Sequence, residues 1–118
     1  MKYSIDHALL ILSPGSQWSL TGNQYSGITW VSGTKPTEAE VGAKIIELDT
    51  AEPMRLLRIE RDKRLAACDW RASSDLTISN AWKTYRQALR DLPATSTPKL
   101  DSRFELDLTS VTWPTEPT

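Results

Sequence analysis

The sequence predicts an α+β protein: a small N-terminal helix–β-hairpin–helix unit, then an antiparallel helical hairpin, then an extended C-terminal tail. Three observations carry this. Between Gln17 and Val31, apolar and polar residues alternate around a glycine-containing turn. Over residues 54–68 and 78–92, apolar residues recur at helical spacing. Beyond Pro93 the composition shifts to Pro, Ser and Thr. The predicted divisions are an N-terminal α+β unit at 1–50, a helical hairpin at 51–93 and a tail at 94–118 that ends in a Trp-Pro element.

The first element is "SIDHALLIL", residues 4–12, a short helix with Ile5, Leu9 and Leu12 on one face. "SPG" stops it, because Pro14 lacks a donor and Gly15 tolerates unusual dihedrals. A β-hairpin follows over about 17–31. Trp18 and Leu20 share one strand face, Ile28 and Trp30 share another, Gly22-Asn23 marks the turn and Gly27 a bulge. Thr37 and Glu40 then have capping-box spacing, and Val41, Ile45 and Leu48 fall on one helical face. A hairpin alone cannot bury an aromatic face, so this helix is expected to cover it. "DTAEP", residues 49–53, is the expected boundary.

In the helix 54–68, Met54, Leu57, Leu65 and Cys68 form one apolar stripe, interrupted by Arg61. Leu56, Ile59 and Ala66 lie on another side. Two strips imply two neighbours. The sequence favours both being intramolecular; the alternative is that one meets a second copy, making a homo-oligomer, or a partner chain. In the helix 78–92, Ile78, Trp82, Tyr85, Leu89 and Leu92 form one stripe and Pro93 is the stop. The loop "DWRASSD" is short enough for an antiparallel hairpin. In the tail, "FELDL" alternates like a short strand and "SVTWPTEPT" reads as extended.

The chain of 118 residues has net charge -1, so its overall field attracts neither nucleic acid nor an anionic membrane. Residues 51–92 are mildly basic, with nine basic and six acidic groups, which is weaker than the patch of a typical nucleic-acid binder. Cys68 is the single cysteine, which excludes an internal disulfide and suits a reducing cytoplasm. No stretch approaches the roughly 20 apolar residues of a membrane span.

Catalytic chemistry finds little support. His7 is the single histidine and reads as a surface or packing residue; Cys68 reads as a small core side chain. One Cys and one His cannot supply a zinc site, and neither a phosphate loop nor a dinucleotide fingerprint occurs. A binding or assembly protein without cofactor is therefore expected rather than an enzyme. Trp70, Trp82 and Tyr85 stand out, since each aromatic buries roughly 150–250 Å² and three of them hold a two-helix unit together. Arg86 and Arg90, four residues apart, repel unless carboxylates approach, so Asp69 or Asp75 is expected to accept from Arg86. The competing reading makes Arg90 and the Trp113-Pro114 element a contact surface, since Trp and Arg are frequent interface anchors.

The strings "RDKRLAACDW", "AWKTYRQALRDLP" and "VTWPTEP" together resemble the C-terminal module of bacteriophage tail-fibre assembly chaperones. The shared pattern is an Arg-rich helix ending in Asp-Trp, a short loop, an Ala-Trp-x-x-Tyr-Arg-x-Ala-Leu-Arg-Asp helix and a closing Trp-Pro-x-x-Pro. It places Trp70, Trp82, Tyr85, Arg86, Arg90 and Trp113 as module-defining or partner-binding residues. "PGSQWSLTGNQYSGITW" and "KPTEAEV" look, more loosely, like leaders found before this module. Two features depart from the pattern: the loop "RASSD" lacks the usual proline, and the stretch between Pro93 and Trp113 is long. The resemblance implies a protein that binds a phage tail fibre or receptor-binding protein in the host cytoplasm and helps it fold, trimerise or attach. The rival implication is a structural virion component, a fibre-to-baseplate adaptor retained in the tail. A third reading, a nucleic-acid-binding regulator, rests on the basic middle segment alone.

Overall fold

A computed structural model describes residues 2–73 and 76–117. The fold is mixed α+β, and the chain divides into two compact units between Glu52 and Pro53.

The first unit opens with helix α1, Ile5–Leu12. Ser4 caps it in an extended conformation, and its N–H donates to His7 Nδ1 at 3.2 Å. Ile5, Ala8 and Leu9 are buried on the inner face. Ser13 N–H closes on Leu9 O at 3.0 Å and Gly15 turns at φ +79. Strands β1, Gln17–Leu20, and β2, Ile28–Ser32, then pair antiparallel. Trp18 lies opposite Trp30 and Leu20 opposite Ile28, so the apolar faces of the two strands make one face of the sheet. They close over Leu9, Ala8 and Val41 to make the unit's core.

The connection is a longer loop than a two-residue turn. Gly22 sits at φ +75, and residues Tyr25–Gly27 form a 3-10 turn. The expected bulge at Gly27 is absent; the irregularity falls between Gln17 and Trp18. Gly27 serves a close approach instead. Thr21 N–H donates to Gly27 O at 3.0 Å, and a Cβ on Gly27 would lie 2.1 Å from Thr21 O.

Helix α2, Glu38–Ala67, starts at the predicted capping box: Glu40 N–H donates to Thr37 Oγ1 at 3.1 Å and Thr37 N–H to Glu40 Oε1 at 3.5 Å. It does not break at "DTAEP" but runs through Pro53. A proline inside a helix costs about 3 kcal/mol. Tertiary contacts on the turn before it oppose that cost. Asp49 Oδ1 accepts from the backbone N–H groups of Lys2 and Tyr3, both at 3.0 Å. Glu52, 1% exposed, accepts from Tyr3 OH at 2.9 Å and pairs with Lys2 Nζ at 2.6 Å.

The second unit contains the end of α2, a 3-10 turn at Asp69–Ala72 and helix α3, Asn80–Thr95. Ser79 Oγ caps α3 by accepting from Trp82 N–H at 3.3 Å. Contacts run in opposite order along the two helices. Cys68 clusters with Trp82, Tyr85 and Leu89, and Leu57 clusters with Leu92. Pro93 does not stop α3; it falls within the last turn, which continues to Thr95. Its missing N–H removes a single bond there, and few residues follow to lose more.

The tail is not extended throughout. "FELDL" forms no strand: an isolated bridge joins Leu100 to Leu106, and Phe104 sits between them at φ +62. Asp101 Oδ1 organises that turn, accepting from the N–H groups of Arg103 at 2.8 Å and Glu105 at 3.1 Å. Asp107 then caps a 3-10 turn at Leu108–Ser110. The chain returns to put Val111, 7% exposed, against Leu57 and Leu92. Burying an apolar side chain contributes about 1.5–3 kcal/mol, and the turns held by Asp101 and Asp107 add local hydrogen bonds that help to order the segment.

Candidate functional site

Aromatic and arginine side chains concentrate in the second unit. Trp82 and Tyr85, one turn apart on α3, are both 8% exposed and meet edge to face, with ring centroids 5.5 Å apart. Burial raises the Tyr85 pKa above that of a free phenol.

Trp70 is placed differently from the expectation that it joins this core. It is 57% exposed, because the 3-10 turn carries it past the end of α2. It is tied to the core through Arg71, whose guanidinium carbon lies 3.9 Å from the Trp82 ring centre and 4.3 Å from that of Trp70.

Arg86 is a structural cross-link. It donates to Asp69 Oδ1 at 2.9 Å, to Leu65 O at 3.2 Å and to Cys68 Sγ at 3.1 Å. Asp69 is one of the two acceptors the sequence offered; Asp75 lies outside the described residues. The Asp69 bond, then the Cys68 contact, hold the Arg86 pKa above its ordinary value. Cys68 itself is a buried free thiol within the core.

Arg90 and Trp113 are not brought together. Trp113 packs against both core clusters of the unit, its Nε1–H donates to Leu108 O at 3.1 Å, and Arg64 lies 4.1 Å from its ring centre. Its indole is half-buried, packed within the unit on one side. Arg90 is exposed and donates to Gln87 Oε1 at 3.1 Å. The second strip of α2 is divided: Leu56 is half-buried, whereas Ile59 is 52% exposed and Ala66 is exposed.

Sequence reasoning missed Arg64 and Arg71. Arg71 carried a signal, standing next to Trp70; Arg64 carried none, since its ring partner lies far along the chain. Among the described residues, no group of three or more His, Cys, Asp or Glu side chains is placed to hold a metal ion, and no helix is long and apolar enough to cross a membrane.

A family model described as phage tail assembly chaperone protein matches residues 54–118. The chain belongs to the phage tail assembly chaperone family. The matched segment all but coincides with the second unit and includes every residue of the aromatic–arginine cluster. It also takes in the long stretch before Trp113, which is part of the family module and packs as such. No curated protein and no solved structure matches the chain. The first unit lies outside the matched segment. Membership in this family assigns the protein to phage tail assembly as a chaperone, which implies contact with tail proteins.

Proposed function

We propose that this chaperone binds the tail fibre or receptor-binding protein and helps it fold, trimerise or attach, acting in the host cytoplasm and performing no bond-making chemistry. The observation that carries this reading is the division of the aromatic set in the family-matched unit. Trp82, Tyr85 and Trp113 hold the unit together, while Trp70 stands in solvent, bound to it through Arg71. Exposing a tryptophan on a well-packed support costs free energy that contact with a partner returns. Such a chaperone needs apolar anchors to cover aggregation-prone fibre surface and charges to set orientation, with no cofactor.

Co-expression of the full chain with the neighbouring tail genes, followed by affinity capture and mass spectrometry, tests it. Stoichiometric recovery of a fibre protein supports the reading. Recovery of a different tail protein moves the assignment within tail assembly, and recovery of none refutes it.

The exposed strip on α2 favours a second reading, a fibre-to-baseplate adaptor that stays in the particle, because Ile59 and Ala66 leave an apolar side open for a permanent neighbour. Mass spectrometry of purified virions separates the two: the adaptor is present at fixed ratio, the departing chaperone is absent.

A further inference from the structure

From the charge and shape of the second unit we infer that the concave surface bounded by Trp70, Arg71, Ile78, Lys83, Arg86 and Arg90 docks an acidic segment of the tail protein. The inference rests on the function proposed above and specifies the chemistry of the partner.

Two neighbouring hollows share Ile78. One, of about 500 Å³, is lined by Lys83, Arg86 and Arg90; the other, of about 260 Å³, by Trp70, Arg71 and Trp82. Among the described residues, no Asp or Glu lines either hollow. Arg86 has its charge balanced by Asp69. The others do not. Arg90 bonds only the neutral Gln87 amide, Arg71 meets only indole rings, and Lys83 has no hydrogen-bond or ion-pair partner among the described residues.

Three cations beside Ile78, Trp70 and Trp82, with no carboxylate among the described lining residues, are complementary to an anion that also carries apolar groups. Arg71 is already ordered by the indoles against it. Its guanidinium N–H groups can then meet a carboxylate without first losing side-chain freedom. Trp70 and Leu76, 57% and 50% exposed, supply apolar contact beside the charges. A phosphate backbone is the other anion to consider. It favours a long stripe of one sign, whereas the chain carries net charge -1 and this basic surface is local. The occupant is therefore an acidic peptide segment with an apolar anchor.

The test uses the full chain co-expressed with its tail genes. Lys83→Glu combined with Arg90→Glu should lower capture of the tail protein at least tenfold. Lys63→Glu, an exposed cation outside the hollows, should leave capture unchanged. Circular dichroism and thermal melting establish that each variant is folded. A carbodiimide should link Lys83 Nζ to an Asp or Glu of the captured protein, and replacing that residue with Lys should restore capture by the double variant. Equal capture by the double variant and the parent overturns the inference while leaving the proposed function standing. So does the absence of any Lys83 cross-link to the tail protein. Loss of capture on nuclease treatment assigns the surface to nucleic acid and overturns it as well. If the parent chain captures no tail protein, both readings fall.

Discussion

The two units of this protein are held together in different ways. The first, through Glu52, closes buried aliphatic side chains beneath the half-buried rings Trp18 and Trp30 of its hairpin, with Thr37 and Asp49 side chains accepting from backbone N–H groups. The second, from Pro53, relies on a few large side chains, each with a directional contact: Trp82 against Tyr85, Arg86 to Asp69, Trp113 to Leu108 O. Only the second falls within the family match. Aliphatic packing tolerates exchange among residues of similar volume, whereas an edge-to-face pair or a bridging guanidinium demands one residue type at one place.

Substitutions in both units and one titration sharpen that contrast. The largest effect is expected from Trp82→Ala, which removes the residue that touches Tyr85, Arg71 and the Cys68 cluster. A loss of about 3–5 kcal/mol in urea unfolding is expected, confined to the second unit. Leu9→Ala in the first unit should cost about 2–5 kcal/mol, and Leu9→Met much less, because only volume is at stake there. Trp113→Ala should cost about 2–3 kcal/mol in the second unit. A loss near zero would mean that the tail does not dock as described. Glu52→Ala leaves Tyr3 OH without its acceptor and should cost the first unit about 1–3 kcal/mol.

The smallest effect is a pH dependence. Burial raises the Tyr85 pKa above the free-phenol value of about 10. The unfolded chain loses this proton first, so the stability associated with it is fully present below about pH 10 and is lost as pH rises through the folded pKa. Denaturation midpoints measured from pH 8 to 11 should fall more steeply for the parent than for Tyr85→Phe. Parallel curves would place the phenol in solvent.

Much of this was legible in the sequence because the contacts involved are local. The capping box at Thr37, the strand alternation and the stripe of Trp82, Tyr85 and Leu89 depend on near neighbours, and all three form as read. The misreadings share a cause. Pro53 and Pro93 are strong local stop signals, yet Lys2 and Tyr3 hold the turn before one, and the other falls where α3 is already ending. The tail reads as a linker because Val111 and Trp113 find their partners, Leu57 and Arg64, about fifty residues away in sequence. Residue type alone groups Trp70 with the buried rings. What sends it outward is the 3-10 turn after Cys68, for which the residues carry no periodic signal.

Trp70 is exposed for a partner while Trp82, Tyr85 and Trp113 are engaged within the unit. Trp70→Ala therefore tests this division most directly, with stability and capture of the tail protein measured on the same preparation. The expected result is a change in unfolding free energy under about 1 kcal/mol together with at least a tenfold loss of capture. A variant that loses several kcal/mol, or one that stays folded and captures the tail protein as well as the parent does, would contradict it.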